Sequence, residues 1–304
     1  MTQTVLILGA SGRFGRNAAD AFAAAGWQVR RFDRKTDTLA TAVQGVDVIV
    51  NAWNPAYPDW AAQVPRLHAD VIAAAKSVDA TVILPGNVYV FGAGTPAPWS
   101  QYSPHAATNP LGQIRRGMEQ AYRDSGVRTI ILRAGDFLDT EASGNWFDQI
   151  MIPKVGKGVF TYPGNPKIAH AWAYLPDLCR AAVSLAEMRQ HLDRFEDIPF
   201  PGYTLSGEEI SDHLSRVTGR PVRLKRMNWV LLHLARPFWK LARHLLEMRY
   251  LWNTPHSLDG TRFNALLPGF THTPVTTALA SALPQDTLRP MLSSQNARST
   301  QTIL

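Results

Sequence analysis

The chain has 304 residues, 45% hydrophobic and 18% charged, with a formal net charge of +7. This composition excludes an intrinsically disordered chain, the length allows a main domain plus a smaller one, and no apolar run is long enough to span a bilayer. The single cysteine, Cys179, excludes an intrachain disulfide and suits a reducing cytoplasm. It lies in the apolar helical run 178–183, where it reads as a small buried hydrophobe rather than a nucleophile. No basic segment precedes the first predicted strand, so a cleaved signal is not expected.

Residues 5–8 are four consecutive apolar residues and read as a buried strand. Gly9, Gly12 and Gly15 follow, and a helix-compatible run continues to about Ala25. Each glycine has its own task. Gly9 turns the chain off the strand, Gly12 lets backbone approach a ligand, and Gly15 lets the helix pack against the strand. The free N–H groups and positive dipole end of that helix suit a pyrophosphate. Residues 27–32 read as a second strand, and Asp33, Arg34 and Lys35 come directly after it. An acidic residue there hydrogen-bonds ribose hydroxyls and favours NAD. Basic residues there hold a 2′-phosphate and favour NADP, with Arg13 able to help. The choice between NAD and NADP stays open.

The Gly-x-x-Gly-x-x-Gly spacing resembles that of the extended and atypical short-chain dehydrogenase/reductases, the NAD-dependent epimerase/dehydratase group. The resemblance implies an α/β fold, with a Rossmann-type doubly wound parallel sheet and a smaller, mostly helical C-terminal substrate domain. The chain pattern agrees. A third strand over 46–52 ends in Asn51 and Ala52, a helix follows over 59–77, and a fourth strand covers 80–84. For the cofactor, the assigned residues are Gly9, Ser11, Gly12, Arg13, Phe14, Gly15, Asp33, Arg34, Asn51, Ala52 and Arg115. No metal ligand set is expected.

The segment 85–92 resembles the family stretch that carries a catalytic Ser or Thr. Here Asn87 takes the hydroxyl position and Tyr89 lies two residues on. The family then has Tyr-x-x-x-Lys at a helix start. With Glu119 as anchor, Arg115 takes the lysine position and Leu111 the tyrosine position. Leucine cannot transfer a proton, whereas arginine still binds a ribose or phosphate. Tyr89 is then the first candidate acid, with a pKa lowered by Arg115, and Asn87 hydrogen-bonds the substrate oxygen. An epimerase- or dehydratase-like oxidoreductase acting on a small carbonyl or sugar-type substrate is the preferred reading. Its rival is a nucleotide-binding regulator or scaffold without turnover.

A fifth strand is expected over 127–133, with Asp136 beyond it either in the crevice or in a turn. Residues 154–165 read as a hairpin within a substrate-side insertion over about 143–170. Asp177 reads as a helix N-cap, His170 as more structural than catalytic, and Ser206 with Glu209 as a capping box. The Rossmann domain is expected over 1–195, the substrate domain over 196–285, and a polar tail over 286–304. Residues 214–250 hold nine Lys or Arg against one acid, Glu247. They read either as a surface for acidic lipids or nucleic acid, or as a helix pair with an apolar inner face and a solvated basic outer face. The second reading is preferred, because the apolar residues have a core to cover. A small-molecule substrate and a homodimer fit the resemblance; nucleic acid is not expected, and a membrane surface is the less favoured partner.

Overall fold

The computed structural model describes residues 2–288. Its first half alternates strand and helix. β1 (Thr4–Leu8), α1 (Arg13–Ala24) and β2 (Gln28–Arg31) lead through a short α2 (Leu39–Ala42) to β3 (Val48–Asn51). Then come α3 (Trp60–Ser77), β4 (Thr81–Gly86), α4 (Pro110–Ser125), β5 (Thr129–Arg133) and the short β6 (Asp136–Leu138). The second half holds β7 (Val159–Tyr162), β8 (His170–Tyr174), α5 (Leu175–Glu187), β9 (Phe195–Pro199), β10 (Tyr203–Leu205) and α6 (Gly207–Thr218). It closes with β11 (Arg223–Arg226), α7 (Val230–Ala235), α8 (Lys240–Glu247), α9 (Thr261–Leu266) and α10 (Val275–Ser281).

Six strands form one parallel sheet in the order β2-β1-β3-β4-β5-β9. β1 shows why the sheet must be covered on both faces. Val5 and Ile7 join one core with Phe14, Ala18 and Phe22 of α1 and Leu178 and Ala182 of α5. Leu6 and Leu8 join the other, with Val64 and Val71 of α3 and Met118 and Tyr122 of α4. The unbroken apolar run over 5–8 is what such a two-sided burial requires. The chain leaves β1 toward β2 and then returns to β3 on β1's other side. That reversal opens a crevice at the carboxyl ends of β1 and β3.

Beyond this sheet, β10, β8 and β6 form a three-stranded sheet and β11 pairs with β7. A third core, with Phe160, Trp172, Ile210 and Leu214, fills the space between them and α6 and α10. The expected hairpin over 154–165 is absent: β7 pairs in parallel with the distant β11. β9 is the sixth strand of the main sheet, so the boundary expected after residue 195 falls inside a strand. Phe263 of α9 also returns to the first core.

Ser206 and Glu209 form the expected capping box of α6. Asp177 does not cap α5, whose N-cap is Tyr174. Its buried carboxylate instead accepts from the Thr273 backbone N–H (2.6 Å), the Thr273 hydroxyl (2.7 Å) and Arg180 (2.8 Å), tying down the strap after α9. Of the expected tail, residues 289–304 lie outside the described residues, while Thr287 is buried. The apolar residues of 214–250 do not all turn inward. Trp229 is buried, but Val230, Leu231, Leu234, Phe238 and Trp239 are exposed.

At the carboxyl end of β5, the fully buried Arg133 donates to Glu119 of α4 (2.8 and 3.1 Å) and to Asp197 of β9 (2.5 and 3.0 Å). A third contact goes to the Asn87 carbonyl (2.5 Å). Removing one partner of a buried ion set leaves uncompensated charge, at a cost of about 3–5 kcal/mol. Arg133→Met should therefore lower the unfolding free energy by about that amount in urea titrations. A loss below about 1 kcal/mol, the worth of a surface pair, would contradict the role assigned to this cluster.

Candidate functional site

The crevice between the carboxyl ends of β1, β3, β4 and β5 has a volume of about 290 Å³. One end is the glycine loop. Gly9 adopts φ +78°, which suits glycine, and its carbonyl accepts from the Gly12 N–H at 2.9 Å. A Cβ on Gly15 would collide with the Gly9 carbonyl, so this position sets how closely α1 sits on β1. Gly12 is the N-cap of α1 and no side chain caps it, which leaves the N–H groups of the first turn for an anion. Gly12, Arg13 and Phe14 line the crevice, while Gly9, Ser11 and Gly15 shape the turn behind it. Arg13 also donates to the Ser143 carbonyl (3.1 Å), joining the loop to the segment that forms the opposite wall.

Asn51 and Ala52 line the crevice, as expected from the end of the third strand. The Asn51 side chain is already engaged, however. Its amide nitrogen lies 3.2 Å from both His68 Nδ1 and the Tyr122 hydroxyl, and its oxygen accepts from the Trp53 N–H. Asp33 and Arg34 do not line the crevice. Asp33 is exposed and accepts from the Lys35 N–H at 2.9 Å. The Arg34 guanidinium lies 5.8 Å from the ring centre of Trp53, itself a crevice residue, so Arg34 marks the outer edge.

At the inner end stand Tyr57, Tyr89, Arg115 and Asp136. β4 ends at Gly86, and the Asn87 side chain accepts from the Tyr89 N–H at 3.1 Å, closing a turn. Asn87 and Tyr89 both line the crevice from this turn. The Tyr89 hydroxyl meets that of Tyr57 at 2.6 Å. Burial pushes the Tyr89 pKa well above the ordinary phenol value, and Tyr57 and Asp136 add to this; the Arg115 charge opposes it weakly. The lowered pKa expected for Tyr89 is therefore reversed. Burial also raises that of Tyr57. Both phenols are hydrogen-bond donors at neutral pH.

Arg115 is buried, stacks 5.1 Å from the ring centre of Trp60, and has no carboxylate within salt-bridge distance among the described residues. Its Nε has no hydrogen-bond partner. Glu119, four residues on, is committed to Arg133 instead. Leu111 packs into the second core, and its N–H donates to Glu247 of α8 at 2.7 Å. His170 is buried outside the crevice and bonds to the crevice carboxylate of Asp136 at 2.7 Å. His105, Glu119 and Asp197 bring ligand-type atoms within 4.8 Å of one another, but the Arg133 guanidinium already answers both carboxylates.

The sequence reading missed Tyr57. It lies in the Pro-bounded loop after β3, and a phenol just beyond a crevice strand was the available signal. His68 was also missed. It comes from mid-α3 and shows only helical periodicity.

No protein-family model matches the sequence, and no curated protein matches it. Solved structures share its fold. MoeE5 in complex with UDP-glucose and NAD aligns with 95% of this chain and 99% of its own, at 15% identity and a TM-score of 0.71. UDP-glucose 4-epimerase from Brucella ovis in complex with NAD aligns over 94% and 99%, at 16% and 0.70. A dTDP-4-dehydrorhamnose reductase from Clostridium acetobutylicum aligns over 92% and 98%, at 15% and 0.68. Likeness at this identity shows the shared Rossmann-type fold.

Burial pushes the His68 pKa down to about 3, with Arg115 adding to it; His256 is likewise pushed down to about 3, by burial and then by His170. A depressed folded-state pKa means that the unfolded chain binds more protons. The stability from keeping these rings neutral is fully present above pH of about 6.5 and is lost as pH falls toward the folded values. His68→Gln should therefore reduce the stability difference between pH 7 and pH 5 by about 2 kcal/mol in denaturant titrations. An unchanged difference would show that His68 is already solvated.

Proposed function

We propose that this protein binds NAD(P) in the crevice and exchanges hydride with a carbonyl or carbinol carbon of a small, sugar-type substrate, as an epimerase- or dehydratase-like oxidoreductase. The observation that carries this reading is the layout of one crevice, with an uncapped helix N-terminus at one end and paired phenols beside a buried, carboxylate-free arginine at the other. Two of the structural neighbours named above, one in complex with NAD and one with UDP-glucose and NAD, support it through the shared fold.

The residues present fit a dinucleotide. Arg115 has a buried guanidinium with an unsatisfied Nε, and a ribose or phosphate supplies acceptor oxygens to it. Gly12, Phe14 and Arg13 would hold the pyrophosphate, and Trp53 with Arg34 would bound the adenosine end. When bound, NAD(P) supplies the hydride donor or acceptor. The chain's own part is the proton. Tyr89 donates a hydrogen bond to the substrate oxygen and transfers its proton as that oxygen gains electron density. The Tyr57 hydroxyl, 2.6 Å from that of Tyr89, would donate to the phenolate left behind and stabilise it. Asn87 steers the substrate oxygen toward Tyr89.

The second reading, a nucleotide-binding protein without turnover, rests on Leu111, which fills the position of the resemblance's acid with a core side chain.

Gly12→Val should abolish NAD(P)H binding in calorimetric titration while the fold is retained, because the branched side chain occupies the approach to the pyrophosphate. Equal affinities would remove the loop from the site. Tyr89→Phe should leave nucleotide affinity unchanged and lower turnover by about 10²–10⁴, the usual contribution of a positioned acid. Absence of hydride transfer to a panel of ketoses and nucleotide-linked ketosugars would establish the second reading.

Cofactor preference gives a further check. Arg34→Ala should weaken NADPH binding about tenfold or more relative to NADH, through loss of one charge-assisted contact. An unchanged ratio would mean that the guanidinium does not reach the 2′-phosphate.

A further inference from the structure

Residues 230–239 present an apolar surface to solvent. Phe238 is 93% exposed, and Leu231 and Leu234 are 69% and 68% exposed. Leu231 and Leu234 are three apart on α7 and share a face, and Phe238 and Trp239 stand exposed in the turn that follows it. Isolated exposed apolar residues are ordinary; a contiguous set of this kind marks an interaction site.

Charge says what the partner is. Arg226 beside Val230, and Arg236, Lys240 and Arg243 in the turn and α8, are exposed, and none has a carboxylate partner within 4 Å among the described residues. The acid of the segment, Glu247, is turned inward onto Asn109 and the Leu111 N–H. A pocket of about 390 Å³ at the base of α7, lined by Arg226, Trp229, His233 and Arg249, opens beside these apolar residues. A second copy of this chain would set two strongly basic segments against each other, so self-association through this face is disfavoured. Nucleic acid would meet Val230, Leu231 and Leu234, which neither pair with phosphate nor stack on bases, across most of this surface. An apolar patch rimmed by unpaired cations matches one surface chemistry, an anionic lipid interface.

We propose that α7, α8 and the turn joining them form a peripheral docking surface for anionic membranes. Phe238, Leu231, Leu234 and Trp239 enter the boundary between headgroups and acyl chains. The surrounding cations rest on the lipid phosphates, with Arg226 and Arg249 offering a headgroup pocket. No helix among the described residues is long and apolar enough to cross a membrane, so the attachment is to one face of the bilayer. The proposal is independent of the crevice chemistry. α8 nonetheless reaches the crevice wall, where the His244 and Tyr57 rings lie 6.4 Å apart.

The test is co-sedimentation of the full chain with vesicles of phosphatidylcholine alone and of phosphatidylcholine with phosphatidylglycerol. The unmodified protein should pellet with the anionic vesicles and stay in solution with the neutral ones. Leu234→Ser combined with Phe238→Ser should weaken the partition coefficient at least about tenfold through lost apolar insertion. Arg236→Gln combined with Lys240→Gln should weaken it by about as much through lost attraction to the lipid charge. These residues are exposed, so circular dichroism should be unchanged in both variants. No pelleting with anionic vesicles at low salt overturns the proposal, as does equal pelleting of the Ser variant and its parent. Retention of DNA, or a concentration-dependent dimer lost in the Ser variant, without vesicle binding would assign the face to another partner and equally overturn it.

Discussion

Arg133 carries a buried positive charge at the carboxyl end of β5, and the neighbouring elements are arranged to satisfy it. An unpaired guanidinium there would cost several kcal/mol in desolvation. Glu119 answers it from α4, Asp197 from β9 and the Asn87 carbonyl from the turn after β4. Three elements and a loop are thereby fixed relative to one another within hydrogen-bonding distance. The next residues along the chain, 134–137, form the crevice wall, so the accuracy of that wall depends on this one charge set.

The crevice itself is defined by two kinds of constraint. At the glycine loop the constraint is steric. A helix that must almost touch the strand before it leaves no room for a side chain at Gly15, and the resulting uncapped N-terminus faces open space. At the far end the constraint is electrostatic. Tyr57 and Tyr89 share a 2.6 Å hydrogen bond in surroundings that disfavour a phenolate, beside an arginine with no carboxylate partner. A site built this way is ready to donate hydrogen bonds from its phenols, from Arg115 and from the helix N-terminus. That is the pattern expected for a ligand rich in phosphate, hydroxyl and carbonyl oxygens.

The main sheet was legible in the sequence because its signals are local: apolar runs of strand length, glycines at a turn, and helical spacing between them. The positions of Gly12, Arg13, Phe14, Asn51 and Ala52 around one crevice follow from that topology, and the resemblance added Asn87, Tyr89 and Arg115, which also line it. What escaped depends on contacts between distant residues. The pairing of β7 with β11 joins segments more than fifty residues apart, and no periodicity records a partner. The direction of the Tyr89 pKa shift follows from burial, which a strand-end position does not disclose, and burial outweighs the nearby Arg115 charge. The exposed apolar residues of α7 and the turn after it have the same composition as a core-facing set. Only the fold shows that no other described residue covers them.

The most direct measurement of the central claim is a crystal structure of this protein grown with saturating NAD or NADP. The account predicts pyrophosphate density against the backbone N–H groups of residues 12–14, and the nicotinamide in the space bounded by Tyr57, Tyr89 and Arg115. Dinucleotide bound elsewhere, or a crevice without dinucleotide density at saturating concentration, would contradict it.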